Sequence, residues 1–208
     1  GKTAMPCYNE IAHTPLYVWD PRFPACAGKH SDRFVQMTDL APTLLEVVGQ
    51  PIPADMTGKP LRPVFASDAK LHDYVVFGFH GAEIIVTDGK YLYMNAPEHP
   101  EDPYYEYTLM PTHMRARFGV HELSEMELAE SFSFTKGLKT LRIRCLGSQV
   151  GGGKEPLVSR LYDIEKDPGQ LQAIEDAEAV KKMKALIREY MIATDAPKEL
   201  YHRYGIEQ

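Results

Sequence analysis

Leu40, Leu44, Leu45 and Val48 recur at a spacing that puts all four on one face of a helix. Thr38 or Asp39 supplies its N-cap, Pro42 is tolerated in its first turn, and Gly49 with Pro51 stops it. Upstream, Leu16, Tyr17, Val18 and Trp19 form a short apolar run closed by Asp20-Pro21. A run this short and this rich in β-branched and aromatic residues reads as a buried strand. The two are joined by a connection rich in Pro, Gly and charge.

After a Pro-rich loop over residues 50–68 the apolar pattern becomes strand-like. Residues 74–77 and 83–86 read as strands, and Asp88-Gly89 turns the second into a third over residues 90–94. There Tyr91 and Tyr93 alternate with Leu92 and Met94, which predicts a half-buried strand with one more polar face. Residues 96–107 read as a Pro-rich and acidic excursion. Ser124 and Glu127 form a capping box for a short helix reaching about Glu130. Residues 141–145 alternate as another strand, residues 147–154 are too Gly-rich for regular structure, and residues 161–170 run from a strand into a turn. Asp176 caps a final helix with Val180, Met183, Ile187, Tyr190 and Met191 on its apolar face, ending before Pro197. Its other face carries Lys181, Lys182, Lys184 and Arg188 and is expected to be solvated.

Three stretches together resemble the sulfatases. Lys2, in a Gly-Lys pair, precedes Tyr8 through Leu16, which follow a Tyr-x-x-x-x-Arg-x-Pro-Leu pattern with His13 in place of the arginine. Asp39-Leu40-x-Pro42-Thr43-Leu44-Leu45, with Gly49 and the later Gly58-Lys59-Pro60-Leu61, is the most specific match. Leu161-Tyr162-Asp163-Ile164, with Asp167-Pro168 after it, is similar to the sequence that closes many sulfatases. The resemblance implies an α/β parent entered partway through. Residues 1–65 would end its large α/β domain, and residues 66–208 would form a smaller subdomain of antiparallel strands packed with a C-terminal helix.

Composition fits an ordinary globular chain: 208 residues, 44% hydrophobic and 25% charged, enough to bury a core. A net charge of −6 argues against general binding to nucleic acid or an anionic membrane. Cys7, Cys26 and Cys145 are odd in number and lack CxxC spacing, so reduced structural thiols are expected rather than a disulfide framework or a zinc site. No apolar run is long enough for a membrane span. The missing signal peptide leaves cytoplasmic and periplasmic locations both open for a parent whose natural start lies upstream.

The resemblance also says which chemistry to look for. Sulfatases convert the first residue of Cys/Ser-x-Pro-x-Arg to formylglycine and hold calcium on aspartates and an asparagine. Neither motif occurs here, so the chain by itself is expected to be inert, with no cofactor of its own; calcium and formylglycine are expected of the parent. Its expected partners are the missing N-terminal half and a sulfated small molecule or glycan, with no nucleic acid and no membrane. Lys2 corresponds to the family lysine that contacts a sulfate oxygen; its other reading is a terminal lysine without a role.

Substrate contacts are expected, against structural alternatives, at His13, at His80 on a glycine-flanked loop between strands, and at His113. Arg142 and Arg144 share a strand face, where guanidinium groups could meet an anionic sugar or simply face solvent. A non-catalytic binding or assembly module, and a related phosphate or phosphonate ester hydrolase, remain as alternatives. The truncated reading predicts an exposed apolar patch that a homodimer could hide; a self-contained module predicts none.

Overall fold

The computed structural model describes residues 7–145 and 157–207. Among these residues seven strands, all paired antiparallel, form two sheets that pack with helices. The chain opens with a single turn, α1 (Asn9–Ala12), then α2 (Leu40–Val47) and α3 (Arg62–Ser67). The first sheet joins β1 (Val75–Gly78), β2 (Ile84–Thr87) and β3 (Tyr91–Asn95). An excursion follows, holding β4 (Tyr105–Thr108), α4 (Val120–Ser124), β5 (Glu127–Ala129) and β6 (Thr140–Arg144). The chain then returns through β7 (Arg160–Asp163) to α5 (Ala177–Ala193) and α6 (Lys198–Arg203). Spatial order is β1-β2-β3-β7 in one sheet and β4-β6-β5 in the other.

The larger sheet is covered on both faces. Val86, Tyr93 and Leu161 pack beneath Met183, Ile187 and Met191 of α5, with Tyr201, Tyr204 and Ile206 closing the end. On the opposite face Ile85, Leu92, Met94 and Tyr162 lie against Cys7, Tyr8 and Ala12. The polar face expected for β3 is therefore absent. Tyr93 is buried, and its hydroxyl donates to Asn95 at 3.1 Å, because α5 lies over it. The long helix starts as expected, with Asp176 Oδ1 accepting from the Ala179 amide at 3.0 Å. Its basic face is partly engaged: Lys182 pairs with Asp88, Lys184 with Glu98, and Arg188 donates to the Glu207 carbonyl. It is not the last helix, since α6 follows behind Pro197.

The 39–61 motif is a structural knot. Asp39 stands at the N-cap position of α2, as expected, but its side chain does not cap that helix. A 3₁₀ turn over Met37–Asp39 precedes α2, so Asp39 already has helical backbone and its carboxylate reaches back to the Gln36 amide at 2.8 Å. The same fully buried carboxylate accepts from the Lys59 amide at 2.8 Å. Thr43 Oγ1 donates to the Asp39 carbonyl and accepts from the Leu61 amide. Gly58 is required by close approach, because a Cβ there would overlap the Thr38 carbonyl.

Three other expectations give way. Residues 16–19 are not in a strand, and their side chains are exposed, 90% for Tyr17 and 83% for Trp19. A strand exists only through its partner's hydrogen bonds, and among the described residues no strand pairs with this run. The helix placed at 124–130 forms earlier, as α4, because the working capping box is Gly119 with Glu122; the chain then turns into β5. The excursion over 96–107 contains β4. The Gly-rich stretch at 147–154 lies outside the described residues.

Candidate functional site

Strand β4 organises the candidate chemistry because its side chains alternate between two faces. Tyr105 and Tyr107 pair in register with Arg144 and Arg142 of β6 and share their face; Glu106 opposes the buried Ile143 on the other. The first face, the β1–β2 loop, the segment around Phe132 and the α5–α6 connection enclose a cleft of about 660 Å³. His80 lies in this cleft, its ring 4.5 Å from that of Tyr104 and hydrogen-bonded to the Tyr105 backbone. Burial pushes its imidazole below the ordinary histidine value, opposed by that hydrogen bond and by the charge of Glu106.

Arg142 stacks over the Tyr105 ring at 4.5 Å and is ion-paired with Glu127, while Arg144 lies 3.7 Å from Glu125. Each guanidinium of the basic strand thus already has a carboxylate. Tyr107 donates to Glu199 at 2.5 Å, and burial followed by that contact pushes its phenol up to about 12. His80 and Arg142 therefore meet around Tyr105.

His113 is across the sheet. Its Nε2 is 2.7 Å from Glu122, and its Nδ1 is 3.7 Å from Glu106. Glu122 is buried and also accepts the Gly119 amide at 2.5 Å as the working half of the α4 capping box. These three residues are the group among the described residues that could approach one metal ion. The imidazole, however, presents a different nitrogen to each carboxylate, whereas an ion takes one nitrogen lone pair. Calcium needs six to eight oxygen ligands. The calcium implied by the family resemblance does not fit here, and the arrangement is that of a histidine clamped between two acids.

His13 is exposed and closes the single turn of α1. Lys2 lies outside the described residues. All three cysteines are free; burial raises Cys7, and burial with the charge of Glu106 pushes Cys145 up to about 11. Sequence reasoning missed Glu106 and Glu122. The Tyr-Glu-Tyr-Thr alternation at 105–108 marks the strand carrying the first, and Gly119 three residues before Glu122 marks the cap made by the second.

Comparison with known proteins finds similarity mainly in the first part of the chain. Residues 3–85 match the family model described as N-sulphoglucosamine sulphohydrolase, C-terminal. Arylsulfatase K from Homo sapiens is 30% identical over 88 residues, and that from Xenopus laevis 27%; each alignment covers 38% of this chain and 16% of the relative. A crystal structure of a candidate sulfatase from Bacteroides thetaiotaomicron aligns with a TM-score of 0.42 at 19% identity, over 76% of this chain and 25% of that one. Residues 3–85 are thus similar to the C-terminal portion of sulfatases. The aligned stretch spans about a sixth of the length of the relatives it matches. Among the described residues no helix is long and apolar enough to cross a membrane.

Proposed function

We propose that this chain is the C-terminal part of an enzyme that hydrolyses a sulfate ester, R-O-SO3⁻ and water giving R-OH and hydrogen sulfate. The observation that carries the reading is the match of residues 3–85 to the C-terminal sulfatase family, which includes the Asp39 to Leu61 knot. The nucleophile, a formylglycine, and a divalent metal that polarises the sulfate would come from the remainder of the parent polypeptide. The chain alone is inactive. Within the parent, Lys2 contacts a sulfate oxygen, where a compact ammonium offsets charge developing as the S–O bond breaks.

The exposed apolar surface supports the same reading. Leu16, Tyr17, Val18 and Trp19 stand open at 46%, 90%, 50% and 83%, and on and beside α2 Met37, Leu44 and Val48 are open at 73%, 64% and 65%. Apolar surface of this kind marks an interface. In the parent it is covered by the rest of the large domain.

The test is hydrolysis of 4-methylumbelliferyl sulfate by the complete open reading frame that contains this chain, with 4-methylumbelliferyl phosphate alongside. Sulfate release by the full-length protein, and none by the 208-residue chain, supports the reading. Preferential cleavage of the phosphate ester, or an upstream frame lacking both Cys/Ser-x-Pro-x-Arg and the Asp-His/Asn-Gly metal motif, would overturn it.

A further inference from the structure

The cleft of about 660 Å³ beside β4 falls within the range of small-molecule sites, and its walls are aromatic. Phe132 and Phe134 stack nearly parallel, 5.4 Å apart and 6° from coplanar, and Tyr107 meets Phe132 edge-on at 5.1 Å. Phe134 and another lining ring, Phe79, remain 45% and 43% exposed, so each keeps ring surface open to an occupant. Rings alone accept any apolar group, so charge decides among occupants.

Among the described residues the lining carries one ionised side chain, Asp195, and no lysine or arginine. His80 adds no positive charge near neutral pH, because burial lowers its imidazole below the ordinary histidine value. Behind Tyr107 stands a second carboxylate, Glu199, which accepts the phenol hydroxyl at 2.5 Å. Two guanidinium groups lie over lining rings without joining the lining themselves. Arg142, over Tyr105 at 4.5 Å, is paired with Glu127, and Arg203, over Tyr104 at 5.0 Å, donates to the carbonyls of Pro100 and Asp102. The cleft therefore combines open aromatic faces with a carboxylate that no lining cation opposes. The negative face of a ring and a carboxylate attract the same sign of charge. An anion would be repelled by both, and a neutral occupant would leave Asp195 unanswered.

Asp195 is also held in place. Its Oδ2 accepts the Ser133 amide at 2.9 Å, which anchors the carboxylate to the residue between Phe132 and Phe134. A carboxylate offers about four acceptor positions, so most of its capacity remains for an occupant. Its φ of 54° lies in the left-handed region, where asparagine is as well accommodated as aspartate. The charge can thus be removed without disturbing the backbone.

We propose that this cleft binds an organic cation of the quaternary ammonium class, its alkyl groups against the open faces of Phe134 and Phe79 and its charge opposite Asp195. The site belongs to this chain alone and does not depend on the sulfate-ester reading.

The test is a titration of the 15N-labelled 208-residue chain, followed by amide shifts. Choline and benzyltrimethylammonium are the cations. The uncharged isostere of choline, 3,3-dimethylbutan-1-ol, and benzenesulfonate are the neutral and anionic probes. Both cations are expected to shift the amides of residues 79–81, 105–108, 132–135 and 194–196, with choline bound about tenfold more tightly than its isostere. Asp195→Asn, which keeps an acceptor for Ser133, should bring choline down to the affinity of the isostere. Phe134→Ala, at an exposed position, should weaken both cations about fivefold. If either cation fails to shift these amides, if the isostere or benzenesulfonate binds as tightly as choline, if Asp195→Asn leaves the preference for choline intact, or if Phe134→Ala changes nothing, the proposal is wrong.

Discussion

Nε2 of His72 lies 2.8 Å from the carboxylate of Asp39, which is fully buried. With the amides of Gln36 and Lys59, the imidazole makes three donors converging on one side chain, tying α2 to the loop before α3 and to the approach to β1. Asp39→Ala should cost about 3 kcal/mol, since it leaves buried donors without an acceptor. Urea unfolding followed by circular dichroism checks this. A loss below about 1 kcal/mol would show that the knot is not structural.

Gly58 passes so close to Thr38 that no side chain fits. Gly58→Ala should therefore destabilise by about 3 kcal/mol, through displaced backbone rather than lost contacts. A thermal melt compared with that of Gly28→Ala would separate this from an ordinary glycine effect. Gly28 has open space around its Cβ position, although its φ of 70° carries its own strain.

Much of the larger sheet could be read in the sequence, for definite reasons, whereas the bonds of the knot join residues 20 and 18 positions apart and could not. The Asp88-Gly89 turn, the alternating strands around it and the Asp176 cap are local signals, and each formed as expected. The run at 16–19 failed because a strand is defined by its neighbour, and its apolar side chains carry no information about whether that neighbour is present. Strand β4 was hidden by flanking prolines and acids, and α4 by a competing capping box five residues later. The clamp on His113 was illegible because Glu106, His113 and Glu122 come from a strand, a loop and a helix.

Asp88 accepts from the amides of Lys90 and Tyr91 and pairs with Lys182 across to α5. Desolvation opposes ionisation, but the bonds from Lys182, Tyr91 and Lys90 outweigh it and hold the carboxyl below the usual 3.8. A lowered native value means the contribution is present above the unfolded value and lost as pH falls through the native one. The stability gap between the parent chain and Asp88→Asn should thus be constant near neutrality and shrink in acid below the usual aspartate value. A gap that instead widened in acid, in melts from neutral to strongly acidic pH, would contradict this pairing.

Burial raises the thiols of Cys7 and Cys145. Since the thiolate is the nucleophile, both should alkylate slowly with iodoacetamide near neutral pH and faster as pH rises. Peptide mass spectrometry after timed quenching reads each site. Rapid labelling of Cys145 at neutral pH would mean that its surroundings are not those described.

The apolar surface at residues 16–19 and on α2 should make the isolated chain associate with itself. Replacing Tyr17 and Trp19 together with serine should raise the monomer fraction in light scattering without lowering the melting temperature, since neither side chain is packed. A chain that is monomeric before the substitutions would contradict an interface at this surface.

The central claim, that this is the C-terminal portion of a sulfate-ester hydrolase, is tested most directly by one comparison. The full-length protein and the 208-residue chain are assayed side by side for sulfate released from 4-methylumbelliferyl sulfate. The account predicts release by the full-length protein, strongly reduced by Lys2→Ala in that protein, and none by the chain alone. Release by the chain alone, or a full-length protein that leaves the sulfate ester intact while cleaving the phosphate ester, would contradict it.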